Sequence, residues 1–395
     1  MQTRSITALA VASTLLTLGT LREARAYDYT APVVFHPVAS FDPANGVVPF
    51  PNNLLLLGTT DLTLNIPVAD PTDFSDPKVA MNALDGFSTT APWSTTFNMP
   101  IDATTLAPTQ TVHVFEVTLS GPGGAVTGVV RELASPQASV VALAPSDTTG
   151  RTVAIVPTRP LAEMTSYMAV LTTGIKATSG LPIRGALPYL FAERTSPLCS
   201  GGQSTVNALP AAQACALEPL RQLTNAQEAA AIGAGVAPGS IALSWVMTTQ
   251  STTIELEAID AVVEASPPAT THLAPTGKTL GDLGVGLPPV ADIYIGTIDL
   301  PYYLSAPSTD NPIAPLNTHW EAVAGAYIEQ CAGFGLDPTS TNITYCNPFP
   351  AATSTVTVPM VVTLPNSHSG RAKPASGWPV VIFQHGITRN RTDMF

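Results

Sequence analysis

The residues best suited to chemistry lie near the C-terminus, where an apolar run leads directly into a histidine and a glycine. Residues 379–383 are uncharged and rich in β-branched side chains, a pattern that predicts a strand buried on both faces of a parallel sheet. His385 and Gly386 follow at its carboxyl end, where open α/β sheets bind ligands. Because glycine lacks a Cβ, the backbone there can approach a carbonyl oxygen closely. The pattern therefore predicts one half of an acyl-transfer site.

The other half of such a site would be a Gly-x-Ser-x-Gly turn followed by an acid and a histidine, and we expect none of these before Phe395. The nearest alternative is the turn around Ser88, which follows Gly86. It lacks the second glycine, and no predicted strand leads into it. We therefore reject Ser88 as a nucleophile and predict no catalytic serine, acid or histidine in this chain.

Sequence around the C-terminal motif resembles that of a known family, the secreted bacterial lipases that carry the bacterial virulence factor lipase N-terminal domain. The segments that carry the resemblance are 377–394, 295–304, 42–54 and 84–92. They extend over nearly all of the chain after its first 26 residues. The resemblance implies an Ig-like N-terminal domain, an α/β-hydrolase domain, and a lipid or related acyl ester as substrate.

For the C-terminal loop, the resemblance implies that His385, Gly386 and Ile387 form part of an oxyanion hole, with the backbone N–H of Ile387 as donor. Since the elbow serine is absent, it also implies that the hydrolase domain is incomplete here. A second interpretation stays open, that of a non-catalytic secreted Ig-like binding or adhesion module. A Gly-x-Ser-x-Gly motif encoded after Phe395 would separate the two.

Composition narrows the class of protein. Only 11% of the 395 residues are charged, against a usual share of about 25%. Proline accounts for 38 residues, roughly twice the average usage. These values favour an exported, loop-rich, mainly β protein. The net charge of −12 argues against a nucleic-acid partner, because a polyanion would be repelled. Oligomeric state is left open.

No metal site and no cofactor are predicted. Asp70, Asp73 and Asp76 are close in sequence, but their spacing is not the alternating ligand pattern of a calcium loop, and aspartate turns explain them. The histidines are scattered without the spacing of metal ligands.

The N-terminus has the features of a signal peptide. Arg4 supplies the positive charge, residues 6–18 form an apolar core, and a small-x-small site ends at Ala26. We expect cleavage after Ala26, a secreted or periplasmic location, and no transmembrane segment in the mature chain.

Four cysteines in an exported chain predict two disulfides. Local pairing, Cys199 with Cys215 and Cys331 with Cys346, is the simplest of three possible connectivities. Each bridge would close a loop of about 15 residues and contribute about 3 kcal/mol.

The predicted fold is mainly β. An Ig-like β-sandwich over 27–250, with strands near 111–119, 151–157, 167–174 and 243–250, is interrupted by a helical insertion over about 186–236. Residues 251–290 read as a helix and a linker, and the helix is expected to open with a capping box between Thr252 and Glu255. Residues 291–395 are expected to hold the first strands of the incomplete α/β-hydrolase domain, with a helix over 320–330.

Overall fold

The computed structural model describes residues 35–73, 75–133, 139–207, 209–316 and 318–395. These divide into two compact units. The first runs to Glu257 and takes in Ala324–Pro348, and the second consists of Ala258–Val323 and Phe349–Phe395.

Strands dominate both units. They are β1 Val38–Ala39, β2 Trp93–Thr96, β3 Val112–Leu119, β4 Val126–Glu132, β5 Ser139–Leu143, β6 Thr152–Pro157, β7 Ser166–Thr172, β8 Arg184–Gly185, β9 Cys199–Ser200, β10 Gln203–Ser204, β11 Ile241–Thr248, β12 Thr271–Thr279, β13 Ala291–Tyr302 and β14 Ser354–Pro365. The α-helices are α1 Pro77–Met81, α2 Leu187–Ala192, α3 Ala211–Gly233 and α4 Thr253–Ala265.

The first unit is built on a two-sheet sandwich. One sheet has the order β2-β6-β5 and the other β11-β7-β3-β4, with antiparallel neighbours throughout. Their facing sides share one core, in which Trp93 lies 6.5 Å from Trp245 and 6.4 Å from Tyr167 between ring centroids. Each such ring removes about 150–250 Å² from water, worth about 4–6 kcal/mol at about 25 cal/mol per Å². The strands predicted near 111–119, 151–157, 167–174 and 243–250 are confirmed.

The larger sheet is covered on its outer side as well. Val112 and Val114 of β3 point into the sandwich core, whereas Phe115 and Val117 belong to a second apolar cluster that includes Ala231 of α3. Successive strand residues point to opposite faces, so a strand buried on both sides has apolar residues at odd and even positions. β3 therefore carries apolar residues on both faces, with Val112 and Val114 on one and Phe115 and Val117 on the other.

The helical insertion packs as a disulfide-pinned layer. α2, the short β9–β10 hairpin and α3 follow one another within it. Cys199 of the hairpin is bonded to Cys215 of α3, with their Cα atoms 4.7 Å apart. The helix predicted within this insertion is confirmed as α3.

The second unit contains an antiparallel sheet of order β12-β13-β14. β13 and β14 pair from Ala291 with Pro365 to Tyr302 with Ser354. β12 lies within the predicted linker, so that part of the linker prediction is wrong. β12 contains Pro275, and it is an edge strand, where a residue without an N–H is tolerated.

The strand predicted over 379–383 is not formed. Val380, Val381 and Ile382 are 83%, 87% and 93% exposed, and none of the described strands pairs with them. A strand exists only when a neighbour accepts and donates its ladder hydrogen bonds. The segment is therefore an exposed apolar run that leads into His385.

Candidate functional site

The predicted oxyanion loop lies at the surface of the second unit. His385 Nδ1 is 2.8 Å from the carbonyl oxygen of Gly386, and Ile387 is 94% exposed. A Cβ added at Gly386 would meet no atom within 4 Å, so the backbone is open to an approaching group. Among the described residues none accepts the N–H of Ile387. The loop thus offers a donor that no described residue engages.

Ser88 has a structural role. Its Oγ accepts hydrogen bonds from the backbone nitrogens of Thr90 at 3.2 Å and Ala91 at 3.1 Å. A hydroxyl oxygen used in this way closes a local turn. Ser88 therefore holds this turn through its side chain.

The closely spaced aspartates Asp70, Asp73 and Asp76 also close turns. Asp70 accepts from Thr72 N, Asp73 from Ser75 N, and Asp76 from Lys78 N at the start of α1. Across the described ranges, no group of three or more His, Cys, Asp or Glu side chains is arranged to hold a metal ion.

A carboxyl pair that sequence reasoning missed lies at the end of β11. Asp85 accepts hydrogen bonds from Ser251 N at 2.9 Å, Ser251 Oγ at 2.5 Å and Tyr345 N at 2.8 Å. Ser251 Oγ also contacts Glu255 Oε1. Burial raises the pKa of Glu255, and the charges of Asp85 and Glu163 act in the same direction.

A glycine makes this meeting possible. A Cβ at Gly86 would come within 2.6 Å of Gln250 N, a separation that real atoms do not tolerate. Because Gly86 has no side chain, Phe87 N donates to Thr248 O at 2.9 Å and Gln250 N donates to Phe87 O at 2.8 Å. These bonds hold Asp85 beside Ser251.

Asp85 opens onto a cleft of about 210 Å³ in the first unit, which we call the Asp85 cleft. Two of its apolar lining residues, Leu62 and Met164, have positive φ values of 68° and 49°. Such a conformation costs a residue with a Cβ about 1–2 kcal/mol. The cleft is lined by Leu56, Leu57, Leu62, Asp85, Leu119, Gly121, Pro122, Gly123, Met164, Ser166, Thr248, Thr249 and Tyr345.

Tyr345 belongs to the Ala324–Pro348 segment of the first unit, which a disulfide and hydrogen bonds to Asp61 hold in place. The Cys331–Cys346 disulfide, with Cα atoms 5.7 Å apart, closes the segment on itself. Asp61 then accepts hydrogen bonds from Ser340 Oγ at 2.7 Å and Asn342 Nδ2 at 2.8 Å. Burial opposes the charge of Asp61, yet these bonds outweigh it and lower its pKa.

A second polar network lies between α3 and β11. Tyr189 Oη donates to Glu228 Oε1 at 2.8 Å and lies 2.9 Å from Ser244 Oγ, which donates to Gln227 Oε1 at 2.9 Å. Burial raises the pKa of Glu228 to about 7. These hydrogen bonds join the helical insertion to the sandwich, and Tyr189 and Ser244 are buried.

Comparison with known proteins identifies the class of domain. A family model described as a bacterial Ig-like domain matches residues 73–192, under a third of the chain. Comparison with the sequences of curated proteins found no match. The chain therefore contains a bacterial Ig-like domain within its two-sheet sandwich.

Solved structures similar to this chain include three of the surface layer protein SbsC. The structure of its domains 1–6 is 18% identical, with a TM-score of 0.18, over 24% of this chain and 11% of that one. The structure of rSbsC(31-844) is 20% identical, with a TM-score of 0.18, over 28% and 14%. The N-terminal part is 15% identical, with a TM-score of 0.17, over 54% and 38%. At these scores the likeness carries no argument about this chain. None of these three is a lipase.

The domain class and the disulfides bear on the cellular location of the protein. Bacterial Ig-like domains are typical of extracellular proteins, and both predicted disulfides are formed, which fits an oxidising compartment. No helix in the described part of the chain is long and apolar enough to cross a membrane. The predicted signal peptide, residues 1–26, lies outside the described residues.

Proposed function

We propose that this chain is the N-terminal part of an exported carboxylic ester hydrolase that acts on lipids or related acyl esters. In this proposal the Ig-like sandwich is an accessory domain, and residues 291–395 open an α/β-hydrolase domain. The serine, acid and histidine that carry out the reaction lie beyond Phe395.

The observation that carries the proposal is the exposed apolar run before the loop. Val380, Val381 and Ile382 are almost fully exposed, which is costly for three adjacent β-branched residues unless a further part of the protein covers them. Such a run, followed by His-Gly and a free N–H at Ile387, supports a central strand that leads into an oxyanion loop.

In the mechanism this supports, the Ile387 N–H donates to the oxygen of the tetrahedral intermediate. One such donor is worth about 3 kcal/mol, because it stabilises charge that develops only after the nucleophile attacks. Gly386 leaves room for that oxygen, since nothing lies within 4 Å of its added Cβ.

The test uses the full product of the encoding gene. It should hydrolyse p-nitrophenyl esters, and Ile387→Pro, which deletes the donor N–H, should lower kcat about 100-fold. Ile313→Pro is the matched control, because Ile313 is an exposed loop isoleucine of the same unit and donates no backbone hydrogen bond. Full activity in the Ile387 variant, or no ester hydrolysis in the parent, would overturn the proposal.

The second candidate is a non-catalytic binding or adhesion module, which would also contain the Ig-like domain matched over residues 73–192. Ig-like sandwiches serve many unrelated functions, so the match alone does not choose between the candidates. A gene that stops after codon 395, together with a protein inert towards esters, would support the binding module.

A further inference from the structure

The Asp85 cleft combines one negative charge with an apolar wall. Among the described residues that line it, Asp85 is the only charged one, whereas Leu56, Leu57, Leu62, Leu119 and Met164 are aliphatic. Asp85 accepts three hydrogen bonds, and an ionised carboxylate has about four acceptor sites. A further donor can therefore bind to Asp85 from the cleft.

Two residues of the apolar wall of the Asp85 cleft have a strained backbone. Leu62 and Met164 come from separate parts of the chain, yet both have positive φ values, of 68° and 49°, and both line this cleft. Glycine would relieve the strain at either position. Strained bulky residues concentrate at ligand sites, where the side chain is needed despite its cost. The strain therefore points to a ligand that uses these aliphatic side chains.

We propose that the Asp85 cleft binds a small organic ammonium ion that carries a short aliphatic chain. The ammonium group donates to the Asp85 carboxylate, and the chain lies against the side chains of Leu62 and Met164. Tyr345 also lines the cleft, and its backbone nitrogen donates to the Asp85 carboxylate. The volume of about 210 Å³ is below the roughly 300–1,000 Å³ of pockets for drug-sized ligands, so the ligand is small.

Charge sets the selectivity of the site. The carboxyl groups of Glu163 and Glu255 lie close enough to interact with each other, and Asp85 interacts with Glu255. The carboxylate of Asp85 on the cleft wall, with Glu163 nearby, favours a cation and repels a carboxylate of the same chain length. An uncharged alcohol would keep the apolar contacts and lose the charge-assisted hydrogen bond.

The test titrates the 395-residue chain with n-hexylammonium chloride, with 1-hexanol and sodium hexanoate as matched probes. Binding is followed by ligand-observed NMR and by calorimetry. We expect saturable binding of hexylammonium, at least about tenfold weaker binding of hexanol, and none of hexanoate. Absence of saturable hexylammonium binding, or equal binding of all three probes, would overturn the proposal.

Two variants locate the ligand. Asp85→Asn retains an acceptor oxygen for the internal bonds and should weaken hexylammonium binding at least about tenfold. Met164→Gly should raise the Tm, because it relieves the positive φ, and still weaken binding through loss of the side chain.

Thr109→Gly is the control for Met164→Gly. Thr109 also has a positive φ, of 62°, and does not line the cleft, so its change should raise the Tm and leave binding unaltered. Unchanged affinity in folded Met164→Gly would contradict the proposal even if Asp85→Asn fails to fold.

Discussion

Oε2 of Glu163 lies 2.7 Å from the backbone nitrogen of Thr253, the first residue of α4. The same oxygen accepts the N–H of Thr252 at 2.6 Å. The first N–H groups of a helix have no partner within it, and a negative charge at this end also suits the helix dipole. Glu163, from the loop before β7, is thus the cap of α4. The predicted capping box is wrong, because Glu255 contacts Ser251 instead.

The first prediction concerns acid stability. The Thr253 hydroxyl and backbone, with those of Thr252, lower the pKa of Glu163 to about 2 from its ordinary 4.5. A depressed pKa in the folded state stabilises above the unfolded pKa, and this contribution is lost as the pH falls from about 4.5 through about 2. Glu163→Gln should therefore lower the Tm at pH 7, with the difference from the parent shrinking towards pH 2.

Thermal melts followed by circular dichroism between pH 2 and pH 7 would measure this effect. Glu264→Gln, at an exposed position of α4, serves as the control and should match the parent throughout. A Tm difference for Glu163→Gln that stays constant across the range would refute the assignment of the cap.

The second prediction concerns Glu228, whose contribution to stability falls with rising pH, whereas that of Glu163 falls with decreasing pH. Burial raises the pKa of Glu228 to about 7, so its contribution to stability is fully present below the unfolded pKa of about 4.5 and is lost as the pH rises through about 7. Glu228→Gln keeps an acceptor for the Tyr189 hydroxyl and should equal the parent at pH 4 while exceeding it at pH 8.

Urea unfolding from pH 4 to pH 8.5 provides the measurement. The window does not overlap that of Glu163, which lies on the acid side of pH 4.5. Parallel pH profiles for Glu228→Gln and the parent would show that Glu228 does not titrate within the network.

Local pattern predicted the parts of the fold that depend on neighbours in sequence. The strands β3, β6, β7 and β11 follow from their apolar runs, and α3 lies within the segment predicted as a helical insertion. A helix over 320–330 was wrong: Gly325 has a φ of 67°, Ile328 N donates to Cys346 O at 2.9 Å, and only a 3-10 helix from Glu329 to Phe334 remains. The positive φ of Gly325 and the bond from Ile328 to Cys346 are incompatible with a continuous α-helix over these residues.

The same distinction between local pattern and long-range contacts applies to the candidate sites. The His385 loop was visible because strand, histidine and glycine are consecutive. The Asp85 cleft was not, since Ser251 and Tyr345 lie 166 and 260 residues away in sequence from Asp85. Its one local signal is Gly86, and a single glycine does not indicate which backbone will approach it.

The third prediction concerns the disulfides. Non-reducing peptide mapping should recover Cys199 linked to Cys215 and Cys331 linked to Cys346. Replacing both Cys199 and Cys215 by serine should lower the free energy of unfolding by about 3 kcal/mol, because the unfolded chain regains the entropy of a loop of about 16 residues. A Cys215 to Cys331 link, or free thiols in the native protein, would contradict this pairing.

The last prediction concerns Ile382, which is 93% exposed in the run before the His385 loop. In the 395-residue chain, Ile382→Lys should change the free energy of unfolding by no more than about 0.5 kcal/mol, as expected for a surface position. It should also reduce self-association, since it interrupts an exposed apolar run. In the full gene product, where the proposed function places Ile382 in a buried strand, the same change should destabilise by several kcal/mol because it buries an unpaired charge. Ile293→Lys is the control: Ile293 is only 6% exposed in β13, so this change should destabilise both proteins. Chemical unfolding of the two proteins side by side decides the matter, and an Ile382→Lys change that is neutral in both would remove the buried strand and with it the support for the hydrolase.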